Sequence, residues 1–288
     1  MQRRKRVALV IGAGSVKCAA AIGLAKVLAR ENIALDLLVG CSAGSMVAAL
    51  IGLGKPTHEI TALAARLWTR ELTSERDTRA MLSILLPRLL GFDARFGMRR
   101  DRRILRAFAE AYGEARIEDM KVPLLVTATD FWTGEQVIFD KGRLVDALRA
   151  SIALPFILKP WEVEGRLCID GFLSDPLPVG PAVREGADVI IAMGFESAYN
   201  ERIDSAARFA FQLTSIMTNN LLRSRFAFHN VAHHGEVIAI VPEFKERIRL
   251  FDADKIPYII EEGERATDAI LPHLLNVLAE TPAPVAVG

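Results

Sequence analysis

The sequence predicts an α/β protein with a mainly parallel central sheet, helices on both faces and a helical insertion. Three observations carry that expectation. Residues 6–11 are a mostly apolar run rich in Val and Ile and ended by Gly12, the pattern of a strand buried on both faces. Residues 19–29 repeat apolar side chains at helical spacing with Lys26 and Arg30 on the far side, as a helix covering a sheet does. Residues 37–39 and then 43–53 repeat the strand-then-helix order. Two such units in succession call for a parallel sheet with right-handed crossovers.

The remaining elements follow in order. Residues 56–112 have helical periodicity, many arginines and no convincing strand, so they form the insertion. Residues 122–129 return to strand pattern, and 135–139 follow Thr133-Gly134 as a hairpin partner. A second hairpin is marked by 161–163 and 167–169 around Glu164-Gly165-Arg166. A short helix opens near Pro181 and leads into an apolar strand at 189–193. Residues 206–231 read as a long helix, 237–241 as the last strand and 257–280 as a closing helix. With no repeat or linker in between, residues 1–288 read as one domain whose only unpacked part is the tail from Thr281, with Pro282 and Pro284.

Composition excludes several classes. A net charge of +1 provides no field for nucleic acid, and the basic run Arg3-Arg4-Lys5-Arg6 reads as a solvated tail. Cys18, Cys41 and Cys168 are odd in number and contain no C-x-x-C pair, which argues against disulfides and zinc and for a reducing, cytoplasmic compartment. The N-terminal run imitates a signal peptide, but Lys17 interrupts its apolar stretch. Residues 37–54 lack charge, yet four glycines and two serines suit a strand, a tight turn and a buried helix better than a membrane span.

The chemistry gathers around Ser42. Gly40-Cys41-Ser42-Ala43-Gly44 is G-x-S-x-G between a strand and a helix, the context of a nucleophile elbow, where Gly40 and Gly44 relieve crowding at the turn. Ser42 then stands at a helix N-terminus, where the dipole and free N–H groups favour negative charge. Gly12-Ala13-Gly14-Ser15 closes the first strand. Lys17 spoils a dinucleotide fingerprint and Gly-Lys-Ser/Thr is missing for a phosphate loop, so no cofactor is implied. Its backbone N–H groups, at the edge beside Ser42, are the oxyanion-hole candidates, Gly14 and Ser15 above all.

A serine needs a base. His229, His233 and His234 follow both Ser42 and Asp170, so a Ser, Asp, His order is available. His229 and His233 have the i, i+4 spacing of a metal pair but lack the glutamate of H-E-x-x-H, and no metal site is assigned. Asp170, at the end of an apolar strand and before Gly171, is the stronger candidate, provided burial raises its proton affinity.

Four ordered blocks, spanning about residues 7–241, resemble the patatin-like phospholipase family. They are the loop and helix of 10–28, the elbow of 36–50, Ala150-Ser151-Ile152-Ala153-Leu154-Pro155 against A-S-x-A-x-P, and 170–179 with its Asp-Gly. The resemblance implies the three-layer α/β/α patatin-like fold and a Ser-Asp dyad without histidine, with Ser42 as nucleophile and Asp170 as base. It further implies hydrolysis of phospholipid or lysophospholipid esters and so a lipid ester partner, while peripheral membrane contact is left open by the basic run at 3–6, which anionic headgroups could use, and by residues 81–96. A catalytically impaired lipid-binding or regulatory protein on the same fold is the alternative. Ala13-Gly14-Ser15-Val16-Lys17-Cys18 departs from the family's G-G-G-x-K/R-G, and Phe172 replaces a small residue. Positive φ at Ser15 or Cys18 would each cost about 1 to 3 kcal/mol. Residues 81–96 mix large apolar side chains with arginines and are read as a cap helix broken at Pro87 and packed on the core, in preference to an interfacial segment. Phe209, Leu213, Ile216, Met217 and Phe226 are read as core or acyl-pocket lining.

Overall fold

The computed structural model describes residues 4–197, 199, 202–204, 206–232, 236–250 and 252–279, with side chains undescribed at 206, 207, 210 and 226–232. Along the chain the elements are β1 (Val7–Ile11), α1 (Ala20–Arg30), β2 (Leu37–Cys41), α2 (Ala43–Gly52), α3 (Thr57–Leu67), α4 (Thr78–Ser83), α5 (Pro87–Leu90) and α6 (Arg102–Tyr112). They continue with β3 (Leu124–Asp130), β4 (Gln136–Phe139), α7 (Leu144–Ser151), β5 (Trp161–Val163), β6 (Arg166–Asp170) and α8 (Val179–Arg184). Last come β7 (Val189–Met193), α9 (Ala206–Ala232), β8 (Glu236–Ile240) and α10 (Ile256–Ala279).

One sheet runs β5-β6-β3-β2-β1-β7-β8, with β4 paired to β3. The pairs β1–β2, β2–β3, β1–β7 and β7–β8 are parallel, while β3–β4, β3–β6 and β5–β6 are antiparallel. All five residues of β1, β2 and β7 are buried, as expected of strands covered on both faces. Alternate side chains feed two cores. Val7, Leu9, Ile11 and Leu38 pack with Ile22, Leu24 and Ile260 on one face. Ala8, Val10, Leu37 and Val39 pack with Val179, Ala182 and Leu222 on the other. The result is a three-layer α/β/α fold. The uncharged stretch 37–54 is β2 and α2, and no helix among the described residues is long and apolar enough to cross a membrane.

One register detail positions the site. β2 pairs with β3 as far as Cys41 opposite Thr127, and Asp170 of β6 lies opposite the next β3 residue, Ala128. β4 also pairs across Ala128 and Thr129, so it must occupy the other edge of β3. β2 and β6 therefore meet end to end along one edge, which brings the residue after Cys41 beside Asp170.

Two expectations need correction. Pro87 does break the insertion, as the first residue of α5, but the segment around it is not packed on the core. Leu85 is 76% and Leu89 77% exposed, because α4 and α5, of six and four residues, are too short to bury a continuous apolar stripe. In α9, Phe209, Leu213, Ile216 and Met217 are exposed, and the side chain of Phe226 lies outside the described residues. The buried residues among the described side chains of α9 are Ser215, Thr218, Asn219 and Leu222, mostly polar, so apolar periodicity pointed to the wrong face. The tail from Thr281 lies outside the described residues.

Candidate active site

Between β2 and α2 the chain reverses within a single residue. Ser42 has φ 53° and ψ −131°, a conformation costly for any residue with a Cβ. Its neighbours have to be glycine. A Cβ on Gly40 would lie 2.4 Å from Ser45 Cα, and one on Gly44 would lie 2.4 Å from the carbonyl oxygens of Ile11 and Gly12. The turn is then pinned. The Ser42 N–H donates to Ser151 Oγ at 2.8 Å, Ser151 Oγ donates to the Thr127 carbonyl at 2.7 Å, and Ser45 Oγ donates to the Ser42 carbonyl at 2.6 Å.

Ser42 Oγ donates to Asp170 Oδ2 at 2.7 Å, and the Phe172 N–H donates to Oδ1 at 3.1 Å. Asp170 is 2% exposed. Burial pushes its carboxyl up from 3.8 to about 7, against the pull of the Ser42 and Phe172 hydrogen bonds. Burial also pushes the thiols of Cys18 and Cys41 well up, so both stay neutral beside it.

The loop after β1 lies against the same cavity. Gly12 N–H donates to the Met193 carbonyl at 2.9 Å and Ala13 N–H to the Pro176 carbonyl at 2.8 Å. The N–H groups of Gly14 and Ser15 meet no acceptor among the described residues, and both residues line the cavity with Ser42 and Asp170. Ser15 takes the left-handed conformation, φ 55°, that its replacement of glycine makes costly, and its hydroxyl donates to the Leu250 carbonyl at 2.5 Å. Cys18 escapes that strain, because it sits in a 3-10 turn (Ser15–Ala19) with its thiol on the Gly12 carbonyl at 3.3 Å. Ala43, first in α2, also lines the cavity and has no intrahelical acceptor for its N–H.

The cavity measures about 340 Å³. Met46, Trp68, Phe108, Leu154 and Phe172 supply apolar wall, and Lys17, Arg247 and Arg249 bring charge to its lining. Phe172, the large residue after Asp170-Gly171, is buried and forms part of the cavity wall. Lys17 Nζ donates to the Glu196 carbonyl at 2.8 Å, and burial lowers its pKa. Of the histidines weighed as bases, His233 and His234 and the side chain of His229 lie outside the described residues.

Sequence reasoning therefore named Gly14, Ser15, Gly40, Ser42, Gly44 and Asp170, and the fold brings all six to one place. It did not single out Ser151. The motif Ala150-Ser151-Ile152-Ala153 marked the segment, but only the spatial approach to Ser42 reveals a bond 109 residues distant in the chain.

This arrangement defines an α/β protein with a strained serine, a buried aspartate and an apolar cavity. A family model described as patatin-like phospholipase matches residues 9–183, and the chain belongs to that family. It is 31% identical over 227 residues to an uncharacterised NTE family protein of Mycobacterium tuberculosis, covering 79% of this chain and 58% of that protein. It is 30% identical over 189 residues to patatin-like phospholipase domain-containing protein 6 of Homo sapiens, covering 65% of this chain and 13% of that protein. The chain thus spans little more than half the length of the mycobacterial relative. The crystal structure of VipD from Legionella pneumophila aligns with a TM-score of 0.52 at 14% identity, over 94% of this chain and 67% of that one, a likeness of fold. Membership of this family supports a lipid hydrolase as the general class.

Proposed function

We propose that the protein is a serine acyl hydrolase of the phospholipase A or lysophospholipase type. The observation that carries this reading is the 2.7 Å hydrogen bond from Ser42 Oγ to a buried Asp170 carboxylate, at an elbow beside loop N–H groups that meet no acceptor among the described residues. Ser42 Oγ attacks the ester carbonyl carbon while Asp170 takes the hydroxyl proton. The carbonyl oxygen becomes an oxyanion held by the Gly14 and Ser15 N–H groups, with the start of α2 adding its dipole. As the tetrahedral intermediate collapses, Asp170 returns the proton to the leaving alkoxide and the alcohol departs. Water, deprotonated by Asp170, then attacks the acyl-enzyme, and the acid leaves as Ser42 recovers its proton. A carboxyl near 7 suits both halves of that cycle, since it can accept and release a proton at neutral pH. The apolar cavity wall suits an acyl chain.

The test is Ser42→Ala and Asp170→Asn assayed on a soluble short-chain ester, alongside labelling by a fluorophosphonate. Loss of both activity and labelling in folded Ser42→Ala is expected, and retained activity in either variant would exclude the dyad. The strained Ser15 is the observation favouring the alternative of a lipid-binding protein with an impaired site. Wild-type protein that binds lipid but leaves Ser42 unlabelled would establish that alternative.

A further inference from the structure

Outside the cavity, the most unusual surface is the short-helix segment of the insertion. Leu82, Ile84, Leu85, Leu86, Leu89 and Phe92 all stand at least about half exposed, in one stretch of eleven residues. Soluble surfaces rarely carry so many large apolar side chains together unless something covers them.

What covers them is indicated by charge and by place. The exposed stretch 78–92 contains Arg79 and Arg88 and no acidic residue, a charge of +2 where the whole chain carries +1; of the arginines flanking it, Arg95 is already paired with Glu162 at 2.8 Å. The base of the segment is fastened to the cavity wall. Asp77 N–H donates to the Met98 carbonyl, Met98 N–H to the Phe156 carbonyl and Arg99 N–H to the Ile157 carbonyl, each at 2.9 Å, and Lys159 pairs with Asp77 at 3.1 Å. Ile157 and Leu158 line the cavity. Beside them Phe156 is 60% exposed, and Phe211, which lines the cavity from α9, is itself 41% exposed.

We propose that residues 78–92 dock the protein on an anionic lipid surface, the leucines entering the boundary between headgroups and acyl chains and the arginines meeting lipid phosphates. Docked in this way, the wall of the cavity stands against the lipid, and substrate enters from the membrane. A second copy of the chain is a poorer occupant, because self-association through this segment would press +2 against +2. The docking stands without the hydrolase reading; only the route of the substrate rests on it.

Ser42→Ala protein, which cannot consume the lipid, is co-sedimented with vesicles of phosphatidylcholine alone and of phosphatidylcholine mixed with phosphatidylglycerol. Binding to the mixed vesicles is expected, and it should fall by about tenfold or more in Leu85→Ser/Leu89→Ser and by roughly tenfold in Arg79→Glu/Arg88→Glu. These side chains are exposed, so unfolding profiles should match that of the parent. On the Ser42 background the same changes should leave turnover of a soluble short-chain ester unaltered while lowering turnover of vesicle lipid. Absent binding, binding unchanged in both variants, or no preference for the anionic vesicles would overturn the proposal. So would sedimentation velocity showing a dimer that the leucine changes dissociate. Failure of soluble-ester turnover with binding intact would instead strike the hydrolase reading alone.

Discussion

Replacing Asp170 by Asn should stabilise the protein and silence it, by an amount that depends on pH. In the folded chain burial lifts the Asp170 carboxyl from 3.8 to about 7. Folding therefore takes up a proton between about pH 4 and 7. The aspartate's contribution to stability is greatest below the unfolded value and is lost as pH rises through about 7. The shift is about 3 units, which at 1.36 kcal/mol per unit is on the order of 4 kcal/mol of strain carried by the buried charge at pH 8. Asparagine has no charge to desolvate. The difference in unfolding free energy between Asp170→Asn and wild type should be near zero around pH 4 and grow to a few kcal/mol by pH 8, measured by denaturant titration at each pH. Asp175, whose carboxyl burial pushes up to about 6, contributes to both proteins alike and drops out of the difference. Activity should move the opposite way. Only the carboxylate can accept the Ser42 proton, so kcat/KM should fall about tenfold per unit below pH 7 and level off above it. A stability difference independent of pH, or a rate flat from pH 5 to 8, would refute the account of Asp170 as a buried base.

Two further predictions concern the scaffold of the site. A Cβ at Gly14 would lie 2.5 Å from the Phe195 ring, so Gly14→Ala should displace the loop and lower kcat by about a hundredfold or more, read by steady-state kinetics, with little change in the wild-type pH profile. Ser151→Ala removes the acceptor for the partly buried Ser42 N–H and the donor to the fully buried Thr127 carbonyl. It should cost about 1 to 3 kcal/mol in thermal or denaturant unfolding, and should slow fluorophosphonate labelling of Ser42 because the elbow is no longer pinned.

How far the site was legible depended on whether its chemistry left a local mark. G-x-S-x-G is forced by steric crowding within five residues, so Gly40 and Gly44 announce the turn at Ser42 wherever the fold places it. Asp170 was legible only in part, as an aspartate ending an apolar strand. The insertion and α9 misled, because helical spacing of apolar residues states that a face is apolar and not that anything covers it. Exposed Leu85 and Met217 have the same local pattern as buried residues.

Sequence alone determined the alternation of strands and helices, the glycine-bounded elbow and the apolar strands buried on both faces, because these follow from backbone sterics and from burial of adjacent side chains. Tertiary structure decided which distant groups meet. The junction of β2 and β6 on one edge of β3 brings Ser42 within 2.7 Å of Asp170, and the same enclosure lifts the carboxyl to about 7. Both effects arise from long-range register and desolvation, which depend on what surrounds a residue in space and leave no trace in its neighbours along the chain.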